Sequence, residues 1–475
     1  MRQWGLQPQP QAAGTVSAPA PRSDTRNRTF AGIVVWVLIV YLIVPEGFDY
    51  STLTEVTRTG SAATKLVWIA LLGCGAVLVF SKTGKLMKLL RTINPFLLAV
   101  IGVAVLSLLW SIDPGTTLKR VVRLFTFLMV GLALALTGWH QNRFQAVVRP
   151  ILTIMLFGSV IFCLVADPRL TMETGNSAEL INSWHGLALQ KNSLGSLAAL
   201  GIIFWTHGYL SKQTGLMATV FGLAVSGICL IGSRSSTNLM GALFSAMFLL
   251  MLLRFPPGLR RQMPYIVGAF AALIMVYALA VLKLVPGLDI LLRPIVAFSG
   301  KDLTFSGRTE IWKIINENIA EHPLLGTGYS AYWIGEYPWS PSYQFLTRLY
   351  FYPSQSHNGY LEVINDLGAV GGLLLMGFLI VYVRQSLQLL KPARSQAALY
   401  LTILFFQLIA NLSEARWFSA TSVEFLVVLL ATCAMARNIM DQRAARTAAQ
   451  QAATAARMSV PQPTIRTPRA RWQTR

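Results

Sequence analysis

Charge is scarce in this 475-residue chain: charged residues make up 12% of it, against about 25% in an ordinary soluble domain. That shortage excludes a conventional water-facing surface over most of the molecule. Acids are the scarcer sign, 19 Asp and Glu beside 40 Lys and Arg, giving a net charge of +21. Cysteine is also rare. The four (Cys74, Cys163, Cys229 and Cys433) lie far apart inside apolar runs, a spacing that offers neither a disulfide framework nor a metal-ligand set. What fills the chain instead is 54% hydrophobic residues, too many for disorder over most of its length. The composition describes a protein dissolved in lipid.

A helix needs about 20 mostly apolar residues to cross the hydrocarbon core. Runs of that kind fall near residues 30–44, 64–80, 94–110, 118–137, 148–166 and 186–206. A second set falls near 215–232, 237–253, 264–285, 358–383, 396–412 and 420–437. The expected fold is therefore an all-α polytopic integral membrane protein of about 12 transmembrane helices. The first run is short enough to be weighed against a signal peptide, but only Pro45-Glu46-Gly47 follows it, with no small-residue cleavage site.

Lys and Arg in short loops set orientation. With the N-terminus inside and the runs alternating, the inner segments hold 25 of the 40 basic residues and two of the 19 acids, Asp24 and Asp441. Spans and outer loops share the remaining 15 basic residues and 17 acids. Both termini are thus expected in the cytoplasm. The basic excess is a topology signal, and a nucleic-acid partner is excluded, although such a charge on a soluble domain would suggest one. The domain reading is a disordered cytoplasmic arm over 1–29, spans one to nine over 30–285, and a large periplasmic loop with an amphipathic helix over 286–357. Spans ten to twelve follow over 358–437, then a basic cytoplasmic tail over 438–475 that could also lie along anionic membrane lipid.

The loop is unlike a linker. Trp312, Trp333, Trp339 and six tyrosines crowd it, and Ile311, Ile315 and Ile319 form a helical stripe after a candidate N-cap, Ser306. Such a helix can lie flat on the bilayer, and the aromatics can anchor in headgroups or stack on sugar rings. Cations recur at outer turns where lipid makes them costly. They are Arg120 and Arg123, one helical turn apart; Lys191 in Gln190-Lys191-Asn192-Ser193; Arg234; Arg308; and Arg416. Snorkelling to headgroups is the plain alternative for each. Taken together they suit a membrane-embedded anion, because guanidinium forks bind phosphate oxygens bidentately. Of five histidines, His357 stands where the long loop re-enters the membrane, followed by Glu362 and Asp366. A near-neutral imidazole there can take a proton from a hydroxyl.

Three loop motifs, Ser-Gly-Arg-Thr-Glu-Ile-Trp (306–312), Pro-Leu-Leu-Gly-Thr-Gly-Tyr (323–329) and Ser-His-Asn-Gly-Tyr-Leu-Glu (356–362), resemble those of the O-antigen ligase/Wzy polymerase superfamily. The turn Ile231-Gly232-Ser233-Arg234-Ser235 and the Lys191-Asn192 segment are similar to two more of its elements. Within it the chain looks closest to ExoQ-like exopolysaccharide polymerases. The resemblance implies metal-independent, cofactor-free glycosyl transfer at the periplasmic face of the bacterial inner membrane, from an undecaprenyl-diphosphate-linked oligosaccharide. It implies that Arg234 and Arg308 hold the diphosphate, helped by Arg123 and Lys191, and that His357 orients or deprotonates the acceptor hydroxyl. Arg120, Arg416, Asn358 and Glu362 are additional candidates. A chain-length co-polymerase and a flippase are partners implied by the family alone. The same site would serve a ligase moving glycan to lipid A core. A twelve-span permease is the alternative of another class, disfavoured because the cations gather at one edge and not at the midplane. A non-catalytic scaffold would leave His357 and the arginines dispensable.

Overall fold

A computed structural model describes residues 22–44, 48–49, 54–55, 62–173, 181–256 and 308–458, with a few isolated positions between 258 and 272. The helices in chain order begin with α1 (Arg22–Ile43), α2 (Ala62–Phe80), α3 (Thr83–Leu90), α4 (Pro95–Leu106), α5 (Pro114–Leu136), α6 (Arg143–Val165) and the single turn α7 (Pro168–Thr171). Then come α8 (Lys191–Leu210), α9 (Leu216–Gly232), α10 (Ser236–Arg254), α11 (Arg308–Glu321), α12 (Gln344–Leu349), α13 (Gly359–Leu389), α14 (Arg394–Ala410) and α15 (Val423–Met458). Two-residue strands, Phe48–Asp49 and Thr54–Glu55, pair between α1 and α2.

An all-α membrane architecture stands, but the count of twelve spans does not. Seven described helices are long and apolar enough to cross a bilayer, and an eighth is obtained if the pair Thr83–Leu90 and Pro95–Leu109, bent by 99°, is one element. Four of the five other runs fall short for physical reasons. The run at 94–110 is the bent half of that pair. Lys119, Arg120 and Arg123 put three cations into the first half of α5. The runs at 215–232 and 396–412 make helices of only 17 residues, roughly 26 Å against a core of roughly 30 Å. The run at 264–285 lies almost wholly outside the described residues, as do Ser306 and the loop before Arg308. A periplasmic position for that loop does not follow from the fold. Apolar runs overcount spans because a bundle core is as apolar as lipid.

The helix at the middle of the bundle is α15. Its apolar window is 89% buried, and it touches α1, α3, α5, α6, α8, α13 and α14. Phe425 to Leu430 are fully covered, so this helix is apolar all round. From Arg443 to Ala455 its residues are exposed, and the helix continues to Met458 without a break. By contrast α2 leaves Leu66, Ile69, Val77 and Phe80 exposed, the pattern of a helix at the rim of a bundle facing lipid.

The stripe of α11 does not lie on lipid. Ile311 and Ile315, with Ile314, are buried in a satellite core made with Tyr332, Trp333, Phe345 and Leu361. Most of the loop aromatics are likewise internal. Tyr337, Trp339 and Tyr350 are exposed, the first two stacked on each other at 5.3 Å.

The motif over 323–329 explains how the loop is held. Within α13 the backbone breaks at Gly368, with φ +62. The helix bonds lost there are replaced from the loop, as Ala369 N–H donates to the Pro323 carbonyl (2.9 Å) and Val370 N–H to that of Leu324 (3.3 Å). In return Thr327 N–H donates to Asn365 O (3.1 Å) and Gly328 N–H to Asp366 O (2.9 Å). So close an approach needs a residue without Cβ: at Gly326, itself at φ +66, a Cβ would sit 2.5 Å from the Asp366 carbonyl carbon. The loop thus plugs a helix kink, and every freed backbone group named here finds a partner.

Candidate functional site

One end of the bundle gathers chain from four places: the start of α8, the turn between α9 and α10, the Gln355–Asn358 return into α13, and the turn between α14 and α15. At their meeting point is Glu414, 4% exposed. Its Oε1 accepts from Asn192 Nδ2 (2.7 Å) and its Oε2 from Gln355 Nε2 (2.7 Å). Three nitrogen groups close round it: His357 Nδ1 at 3.5 Å, Arg308 Nη2 at 3.7 Å and Arg416 Nη2 at 3.7 Å. Burial alone would raise this carboxyl, but His357, then Arg416 and Arg308, bring it down to about 2. Glu414 is therefore a fixed carboxylate at neutral pH.

Each amide in the cluster is locked in its orientation. Gln355 Oε1 accepts from Ala415 N–H (3.0 Å), and Asn192 Oδ1 accepts from Ser235 Oγ (2.9 Å). A flip of either would set carbonyl against carboxylate. Arg416 also donates to Ser193 Oγ (3.2 Å) and lies 3.9 Å from Glu424, which receives the Ser196 and Ser422 hydroxyls.

His357 owes its position to the sequence around it. Its own φ is +53, a left-handed turn in a non-glycine residue, held by bonds on both sides. Before it, Ser356 N–H donates to Glu362 Oε2 (3.0 Å), and Ser356 O accepts the indole N–H of Trp312 (2.9 Å). After it, Asn358 caps α13 by accepting from Tyr360 and Leu361 N–H. Gly359 N–H donates to Asn411 O (2.9 Å), and the Asn411 side chain accepts from Arg416 and Trp417 N–H. The His357 turn and the Glu414 turn are thus tied backbone to backbone.

The structure brings Arg308, His357 and Arg416 into one cluster, and Lys191 and Arg234 to its border. Lys191 opens α8, its N–H on Glu173 Oε1 (2.8 Å), and residues 186–190 form a turn before the helix. Arg234, at φ +50, is exposed and donates to Ile181 O (3.0 Å). Its neighbour Ser235 reaches Glu414 through Asn192. Arg123 lies elsewhere, over the Trp68 ring at 5.0 Å. Arg120 is committed to structure, donating to the carbonyl and hydroxyl of Ser330 and to Trp333 O (3.1 Å). Glu362 is committed likewise, to Ser356 N–H and the Trp333 indole (2.7 Å). His185 bonds the Ala188 carbonyl (2.9 Å). Among the described residues no group of three or more His, Cys, Asp or Glu is placed to hold a metal.

Glu414, Gln355 and Glu424 are the members that charge and motif reasoning passed over, while Asn192 entered only as part of the Lys191-Asn192 segment. An acid at the end of an apolar run, in a chain with 19 acids, was the available signal for Glu414. The two amides carry no signal in one sequence.

Residues 219–376 match the family model described as O-antigen ligase. That stretch contains Arg234, Arg308 and His357 and ends before Glu414. The chain is also 26% identical over 287 residues to the exopolysaccharide production protein ExoQ of Rhizobium meliloti (strain 1021). The match covers 57% of this chain and 60% of that protein, so the chain spans about three fifths of its relative.

Proposed function

The chain belongs to the O-antigen ligase superfamily, and we propose that it polymerises undecaprenyl-diphosphate-linked oligosaccharide repeat units into exopolysaccharide at the periplasmic face of the bacterial inner membrane. The observation that carries this reading is the convergence of Arg308, His357 and Arg416 on the buried Glu414 carboxylate at one end of the bundle. In the reaction the acceptor hydroxyl oxygen bonds to the donor's anomeric carbon as the bond from that carbon to the diphosphate breaks. Undecaprenyl diphosphate departs with the electron pair. Arg308, Arg234 and Lys191 neutralise the charge that grows on it, which is worth most where water is thin. Arg416 keeps Glu414 and Glu424 in register behind them.

His357 takes the hydroxyl proton. Glu414 facing Nδ1 favours the tautomer protonated there, which leaves Nε2 as the base. Diphosphate is already a good leaving group once neutralised, so the scheme asks for no general acid and routes no step through a metal. A co-polymerase and a flippase are partners that such a reaction would use.

Replacing Arg234, Arg308 and His357 singly with Ala, at equal protein level, is expected to lower polymer output by roughly 100-fold or more each, the range for removing a charge-stabilising donor or a general base. Full output from all three variants would end the catalytic reading. Purified enzyme given lipid-linked repeat units alone should make polymer; transfer only to added lipid A core would make it a ligase.

A further inference from the structure

The opposite end of the bundle carries a second polar site. Helix α8 runs from Lys191 at the Glu414 cluster to Leu210, a span of about 30 Å. Where it ends there is a cavity of about 580 Å³, bordered by the first residues of α6 and α14 and the turn after α8. Its charged lining is entirely cationic: Arg149, Lys212 and Arg394, with no Asp or Glu among the lining residues. The remaining polar wall consists of hydroxyls and amides, including Asn142, Ser395 and Gln396.

Arg149 is the telling member. Its guanidinium lies over the Trp205 ring at 5.1 Å, and its Nη1 is shielded from solvent with no hydrogen-bond partner among the described residues. A charged donor buried without an acceptor is costly unless something completes it. Two helix N-termini reach the same cavity, α6 after Asn142 and α14 after Ala393, and neither is capped by its side chain. Their first-turn N–H groups favour a negative ligand. The C-terminus of α8 opposes this, and Lys212, in a left-handed turn at φ +56, stands beside it.

We infer that this cavity is a binding site for a phosphate-bearing anion, either the headgroup of an anionic phospholipid in the adjoining leaflet or soluble phosphate. The placement at the ends of membrane-crossing helices favours the headgroup, and the site is separate from the Glu414 cluster, so it does not rest on the reaction proposed above. Each cation beside an anionic headgroup contributes a factor of about five in affinity.

The test uses the delipidated full-length chain in detergent, titrated with phosphatidylglycerol, phosphatidylcholine or inorganic phosphate and read by native mass spectrometry. Phosphatidylglycerol should be retained over phosphatidylcholine, with Arg149→Gln and Lys212→Asn each lowering the preference about fivefold. Lys212 is exposed, and Asn tolerates its left-handed backbone, so the second variant folds even if the first does not. Inorganic phosphate adducts without a lipid preference, lost in the same variants, would identify the soluble anion as the ligand. Equal retention of both lipids with no phosphate adduct, or a preference unchanged in both folded variants, would overturn the site.

Discussion

Replacing Glu414 with Gln changes the charge of the cluster with little change in shape, and the consequence can be worked out. The carboxylate receives Asn192 and Gln355 at 2.7 Å each. A Gln side chain offers one oxygen, so one locked amide must face an NH2, a loss of about 1–3 kcal/mol. The charge contribution follows from the carboxyl lying at about 2 when its ordinary value is 4.5. A group held down in the folded state stabilises the fold fully above its unfolded pKa, and loses that contribution as pH falls through 4.5 toward 2. Two and a half units correspond to roughly 3 kcal/mol at pH 7, of which roughly 1 kcal/mol remains at pH 3. Glu414 is fully buried, so solvent does not discount the figure. Unfolding of wild type and Glu414→Gln in detergent, followed by tryptophan fluorescence from pH 7 to 3, should show a gap that narrows by about 2 kcal/mol across this window. A gap that stays constant with pH would mean that the cations do not act through a Glu414 carboxylate, and the electrostatic account of the cluster would fail.

Gly326→Ala should cost about 2–4 kcal/mol, because its Cβ would press on the Asp366 backbone at 2.5 Å from a left-handed position; an equal melting temperature would refute the kink-plug account. Trp312→Phe removes the indole bond to Ser356 O and is expected to cost about 1–2 kcal/mol. It should also lower turnover with KM nearly unchanged, since it loosens the His357 turn and leaves the arginines in place. Arg120→Met should lower stability by about 3 kcal/mol by orphaning the Ser330 and Trp333 carbonyls. Its folded fraction should keep the KM for lipid-linked substrate, and a raised KM would return Arg120 to the site.

How much of this was legible in the sequence depends on which physical signal each element leaves. Apolar runs announce a lipid solvent, but they do not separate a helix against lipid from a helix against protein. Helix α15 and the 17-residue α9 and α14 look alike to a hydropathy window, and that is where the span count went wrong. The stripe of α11 was readable as a face, but its partner was not: Tyr332, Trp333 and Phe345 come from later in the loop, after the helix has ended. Cations were visible because they are conspicuous in apolar surroundings, and Arg308 and His357 do converge. Arg120 was equally conspicuous and serves backbone carbonyls instead. A single sequence cannot tell a cation held for a ligand from one held for the fold, because both pay the same desolvation cost.

The structure supplies a criterion that separates them. Arg120 gives its donors to carbonyl oxygens of the loop, so a ligand could claim it only by breaking those bonds. Arg308 and His357 meet Glu414 at 3.7 and 3.5 Å, longer than hydrogen bonds, while Asn192 and Gln355 hold the carboxylate at 2.7 Å. The amides fix the anion, and Arg308, Arg416 and His357 stand round it at longer range. Glu414 therefore balances the positive charge of the two arginines. In the proposed reaction a diphosphate would approach cations whose counter-charge stays where the amides put it, so little rearrangement would accompany charge development on the leaving group. The neutral residues Asn192 and Gln355 are the ones that make this division possible.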